Sequence, residues 1–138
     1  MGKIVVDRGL EQYTIEDKNG TVLGKFEMNP ADLELVKRYE HVAEAVSHIA
    51  DNVDERKDIV DIVKEMEEKL DKQIDYLFNS NVSQSFFSIT SPFTVLANGE
   101  FFVENVLNAI GSLIEEETGK RFEKVQTKIN KYTSKYHK

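Results

Sequence analysis

The stretch QYTIEDKNGTVLGKFEMNPAD, residues 12–32, sets the fold class. Its first half alternates with a period of two. Gln12–Glu16 sets Tyr13 and Ile15 on one face, and Thr21–Met28 sets Val22, Gly24 and Phe26 on another, the pattern of half-buried strands. Between them, Asp17-Lys18-Asn19-Gly20 carries an Asn-Gly pair that favours a tight hairpin turn, because both residues tolerate positive φ. Upstream, Ile4-Val5-Val6 offers a third short strand. A two-stranded hairpin is marginal in water, so it is expected to pack on helices or extend a partner's sheet. At Asn29-Pro30-Ala31-Asp32 the period changes. Asn can cap a helix, Pro suits its first position and Asp complements its dipole.

Helical spacing governs most of the remaining chain. Val36, Tyr39, Ala43, Val46, Ala50 and Val53 recur at 3-4 intervals, a narrow seam like that of a coiled coil. Asn52-Val53-Asp54-Glu55 resembles a capping box, which predicts a second helix from there with the stripe Ile59, Val63, Met66, Leu70, Ile74 and Leu77. Residues 79–98, NSNVSQSFFSITSPFTVLAN, show no period. So long an irregular stretch is unusual in a small domain and is expected to be functional or mobile, with room for a short strand or helical turn. From Gly99 a further helix carries Phe102, Val103, Val106, Ile110 and Leu113, followed by Phe122, Val125, Ile129, Tyr132 and Tyr136. Ending it at Gly119 would crowd Glu115, Glu116 and Glu117 at the negative end of the dipole. Carrying it through makes Glu116–Lys120 and Glu117–Arg121 favourable i, i+4 pairs, which predicts one long helix.

At 138 residues, one domain is expected, α+β and predominantly helical: an N-terminal β-hairpin (1–28), a helical pair (29–78), an aromatic, Ser-rich loop (79–98), and a long helix with a basic tail (99–138), giving three to four helices. The chain is 40% hydrophobic and 31% charged, too apolar to be disordered throughout. It has no Cys, which excludes a disulfide framework and thiolate chemistry. No apolar run approaches a membrane span, and MGKIVVDRG lacks the apolar core of a signal peptide, so a cytoplasmic protein is expected.

The net charge of −7 is unevenly placed. Residues 120–138 hold seven Lys or Arg and one acid, a net of +6, which leaves −13 on residues 1–119. Asp51, Asp54, Asp58, Asp61, Glu65 and Glu68 recur at 3-4 spacing as one acidic stripe. Arg121, Lys124, Lys128, Lys131, Lys135 and Lys138 do the same as a basic one. Each stripe precedes apolar positions by one residue, so two amphipathic helices with complementary flanks are expected to pair, within one chain or between chains. Exposed ion pairs contribute only about 0–1 kcal/mol each, so the apolar seam must supply most of the stability. The acidic body opposes nucleic acid, and the tail lacks the Leu/Trp-rich wedge of a membrane-surface helix.

Sites of reaction chemistry are poorly supplied. His41 and His48 stand seven apart, where metal-binding helices present i, i+4 or Glu-x-x-His spacing, and His137 lies in the tail. The acidic stripe alone suggests a Mg²⁺-binding helix of the kind used by all-helical nucleotide pyrophosphatases, but it lacks the second carboxylate cluster and a phosphate-reading loop. Ser83, Ser85, Ser88 and Ser91 have no nucleophile elbow, and the glycines form no phosphate loop. A non-enzyme without cofactor or metal is expected.

Several segments together carry a resemblance. Lys25-Phe26-Glu27-Met28-Asn29-Pro30-Ala31-Asp32 leads into a charged helix, followed by Asp75-Tyr76-Leu77-Phe78, the aromatic loop, Gly99-Glu100-Phe101-Phe102 opening a helix, and a Lys/Tyr-rich tail. This arrangement resembles the small tail-assembly proteins, called tail assembly chaperones, of temperate phages and prophages of Gram-positive bacteria. The resemblance implies a mostly helical, self-associating protein of the host cytoplasm that coats apolar helical stretches of the tape-measure protein before the tail tube forms. Residues suited to line such a client site are Phe86, Phe87 and Phe93 in the loop, with Phe101, Phe102 and Leu107 in the helix after it. The alternative use of the same seams is a structural or adaptor homo-oligomer.

Overall fold

The computed structural model describes residues 1–51 and 53–134, and of residues 121–134 the backbone alone. The fold is α+β and predominantly helical, an antiparallel hairpin followed by helices. Strands β1 (Glu11–Glu16) and β2 (Val22–Met28) pair with Tyr13 opposite Phe26 and Ile15 opposite Gly24. The turn differs from the expected tight Asn-Gly type. Asp17 organises it: its carbonyl accepts from Gly20 N at 3.1 Å, and its carboxylate accepts from Asn19 N and Thr21 N at 2.8 and 3.0 Å. Only Gly20 takes positive φ, at 83°, and Leu23 is an extra residue between the pairs Ile15–Gly24 and Glu16–Val22. One left-handed glycine plus a bulge replaces two left-handed residues.

Ile4-Val5-Val6 forms no strand. Asp7 accepts from Gly9 N at 2.7 Å and Gly9 adopts φ 69°, a local bend that separates the first residues from β1. The exposed Ile4, Val5 and Val6 lie outside the core.

Helix α1 (Leu33–Ser47) is capped by Asp32, whose carboxylate accepts from Glu34 N. Asn29 instead makes the preceding turn, accepting from Ala31 N, and Pro30 is fully buried. The narrow seam expected for α1 widens. Leu35 and Val42 are its buried residues, while Val36, Tyr39 and Val46 pack at their edges, because α1 touches both α2 and α4 rather than one partner helix. Helix α2 (Ile59–Phe78) starts later than the sequence pattern predicts, with Asp58 as cap. Asn52 of the expected capping box lies outside the described residues, and Asp54 and Glu55 lie in the turns before the helix. Leu70, Ile74 and Leu77 of its stripe are fully buried, yet Ile59 is 72% exposed. Arg38 Nε donates to Leu77 O at 2.9 Å, placing a cation at the negative end of α2.

Residues 79–98 hold a short helix and, at Val95, an antiparallel bridge to Phe101. Asn79, at φ 50°, ends α2 in the left-handed conformation, and the carboxylate of Asp75 accepts from Val82 N and Ser83 N at the start of the five-residue helix α3 (Ser83–Phe87). The carbonyls of Thr94 and Pro92 then accept from Phe102 N and Val103 N, while Glu104 accepts from Phe101 N. The segment therefore satisfies the amides that open α4. Helix α4 (Phe102–Ser134) runs through Gly119 as expected, and Lys120 pairs with Glu116 at 3.2 Å.

Candidate functional site

The hairpin lies on the helices through a small aromatic cluster. Phe26 meets Tyr13, Phe78 and Phe86 at ring-centroid distances of 5.6, 5.3 and 5.3 Å. Gly24 permits this approach: a β-carbon there would stand 3.1 Å from the carbonyl oxygen of Ser85. The seating leaves a groove of about 780 Å³ between the hairpin, the segment after α3 and the first half of α4. Tyr13, Ile15 and Phe26 form one wall, Phe102, Val106 and Ile110 the other, and Phe86 is part of the lining. Glu16, Asp17 and Lys18 lie at the turn end, with Asn98 and Asn105 among the other polar groups. Such a site buries apolar surface of a ligand, at about 25 cal/mol per Å² removed from water, and fixes it with a polar rim.

Of the six residues expected to bind a client, Phe86 and Phe102 line this groove. Phe86 is only 5% exposed and Leu107 is buried as well, so both contribute mainly to the core. Phe87 packs edge-on against Phe102, and Phe93 packs edge-on against Phe101, which is 40% exposed. The partly buried groove residues missed in the sequence are Tyr13, Ile15 and Phe26; Val106 and Ile110 also line it but, like Phe86 and Leu107, are buried and contribute mainly to the core. Alternation had set Tyr13 and Ile15 on one strand face and Phe26 on the other strand's face, but nothing local says what those faces oppose.

The acidic stripe is broken as a helical feature. Asp51 and Asp54 precede α2 and Asp58 caps it, so only Asp61, Glu65 and Glu68 stand on the helix. Several of these carboxylates have local partners. Asp51 and Glu44 hold the two ring nitrogens of His48 at 2.6 and 3.1 Å, Arg56 pairs with Asp54, and Lys57 pairs with Glu65. The hydrogen bond to the Asp51 carboxylate, then that to Glu44, raises the pKa of His48. Arg56 lowers that of Asp54, and Glu65 raises that of Lys57. No group of three His, Cys, Asp or Glu among the described residues is placed to hold a metal ion. His41 packs edge-on against Tyr76 at 5.5 Å. The side chains of Arg121, Lys124, Lys128 and Lys131, and Lys135 entirely, lie outside the described residues.

Among the described residues, no helix is long and apolar enough to cross a membrane. No protein-family model, curated protein or solved structure matches this chain.

Proposed function

We propose that this chain is a non-catalytic binding protein whose groove between the hairpin and α4 takes an apolar helical segment of a partner. The observation that carries this reading is the groove itself, open, about 780 Å³ and walled by the half-buried Tyr13, Ile15, Phe26 and Phe102. An amphipathic helix offers the matching surface, with apolar side chains at i, i+3 and i+4 in the groove and its polar face to water. The sequence resemblance to tail assembly chaperones supplies the setting. The client is a helical stretch of a phage tape-measure protein, held in the host cytoplasm until the tail tube forms.

The test is titration of labelled peptides from apolar helical stretches of a tape-measure protein against the full chain, read by fluorescence anisotropy. Wild type binds, and Leu96→Glu at the edge of the groove weakens binding at least about tenfold, a loss of about 1.4 kcal/mol, with unchanged circular dichroism. Equal affinity in wild type and the Leu96→Glu variant, or no binding to wild type, overturns the reading.

A further inference from the structure

The first turns of α2 leave an apolar face uncovered, and the other end of the molecule carries a helix with the opposite charge. Ile59 is 72% and Val60 54% exposed at the start of α2. Asp58, Asp61 and Glu65 each stand one residue before Ile59, Ile62 and Met66, giving this ridge an acidic edge. In the sequence from Lys120 onward, Arg121, Lys124 and Lys128 likewise stand one residue before Phe122, Val125 and Ile129. The backbone there is helical to Ser134.

The order of contacts along α1 shows that one chain cannot join these two helices. Arg38 and His41, in the first nine residues of α1, meet Leu77 and Tyr76 at the end of α2, so the start of the 20-residue α2 lies beyond the far end of α1. Helix α4 also runs antiparallel to α1. Tyr39 meets it at Leu107, and Pro30, before α1, meets it at Thr118. The basic half of α4 therefore leaves the body at the end opposite the acidic ridge. The 15 residues of α1 span about 22 Å, and residues 119–134 add about 24 Å of continuous helix in the direction away from it. That separation exceeds the Debye length of about 10 Å at 0.1 M salt.

We infer that the start of α2 in one copy is the docking site for the basic half of α4 of a second copy. The occupant is identified by charge complementarity, +6 on residues 120–138 against −13 on the rest, and by matching apolar ridges. The same pattern sets the orientation. In both sequences the charged residue precedes the apolar one, and two amphipathic helices of that pattern bring their charged edges together when they pack antiparallel. The Lys57–Glu65 pair is exposed and exchanges for the incoming cations. This docking site is separate from the groove and its client.

Charge exchange in the full chain tests it, with mass measured by light scattering. At low salt, wild type has a mass of two or more times 15.8 kDa and falls to 15.8 kDa at about 0.5 M salt. One variant carries Asp61→Lys and Glu65→Lys, the other Lys124→Glu, Lys128→Glu and Lys131→Glu. Each alone is a monomer at low salt, and an equimolar mixture recovers the assembled mass, because the basic tail of the first meets the acidic ridge of the second. The milder Asp61→Asn, Glu65→Gln variant lowers the assembled fraction in the same direction. A monomeric wild type at low salt, a reversed variant that keeps the wild-type mass, or a mixture that stays monomeric overturns it.

Discussion

Tyr39 occupies the space that a β-carbon on Gly111 would need: such an atom would stand 2.3 Å from the tyrosine hydroxyl and 2.7 Å from the ring carbon bearing it. The same hydroxyl donates to Leu107 O at 2.9 Å, one turn earlier in α4. The contact joins α1 to α4 by a ring laid on a glycine, and burial raises the pKa of the tyrosine.

Gly111→Ala brings a helix-propensity gain of about 1 kcal/mol, but it must displace the ring. The lost hydrogen bond and the overpacking together cost about 2–4 kcal/mol, so a net loss of about 1–3 kcal/mol is expected in urea unfolding. In a Tyr39→Ala background the same substitution becomes stabilising. An additive double mutant would contradict the contact.

Gly119 gives the opposite sign in the same helix. Nothing lies within 4 Å of a β-carbon built there. Gly119→Ala is expected to stabilise α4 by up to about 1 kcal/mol, seen as higher helicity and a higher Tm. A drop in Tm would mean that the helix needs to bend at this point.

Asp75 ties the end of α2 to the start of α3 by accepting from two backbone amides at 2.9 and 2.8 Å. Asp75→Ala leaves both donors without that partner and is expected to cost about 1–3 kcal/mol. Asp75→Asn, which keeps an acceptor oxygen, costs less. Equal losses would show that charge rather than hydrogen bonding matters here.

Asp71 has its pKa raised by burial and then by Asp75, Glu67 and Glu68. A carboxyl that binds its proton more tightly when folded costs stability at neutral pH, and that cost is relieved as pH falls through the raised value. Asp71→Asn is therefore expected to raise Tm at pH 7, with the advantage fading in acid. A pH-independent difference would indicate another cause.

His48 works in the other direction of pH. Its raised pKa means that the Asp51 and Glu44 contacts stabilise the end of α1 fully below the ordinary imidazole value of about 6.5. That contribution is lost as pH rises through the raised value. The Tm difference between wild type and His48→Gln is expected to be largest in mild acid and to shrink towards alkaline pH, and a proton NMR titration locates the shift. A titration at the ordinary value would remove the pair from solution.

Local spacing in the chain was enough to define the kinds of element present. Alternation at Tyr13, Ile15 and Phe26 marked the hairpin, and the spacing of Leu70, Ile74 and Leu77 marked the buried face of α2. The acids before Gly119 and the cations after it marked α4 as one helix, because i, i+4 neighbours are fixed by local geometry. The same spacing failed where α1 meets two partners at once, so that Leu35 and Val42 joined the buried face. It failed again in residues 79–98, whose carbonyls find the amides that open α4. The groove and the opposed ends of α2 and α4 belong to the tertiary structure alone. A repeat of two or 3.6 residues says which side chains share a face, but only the packing of distant segments decides what that face meets and which way the helix points.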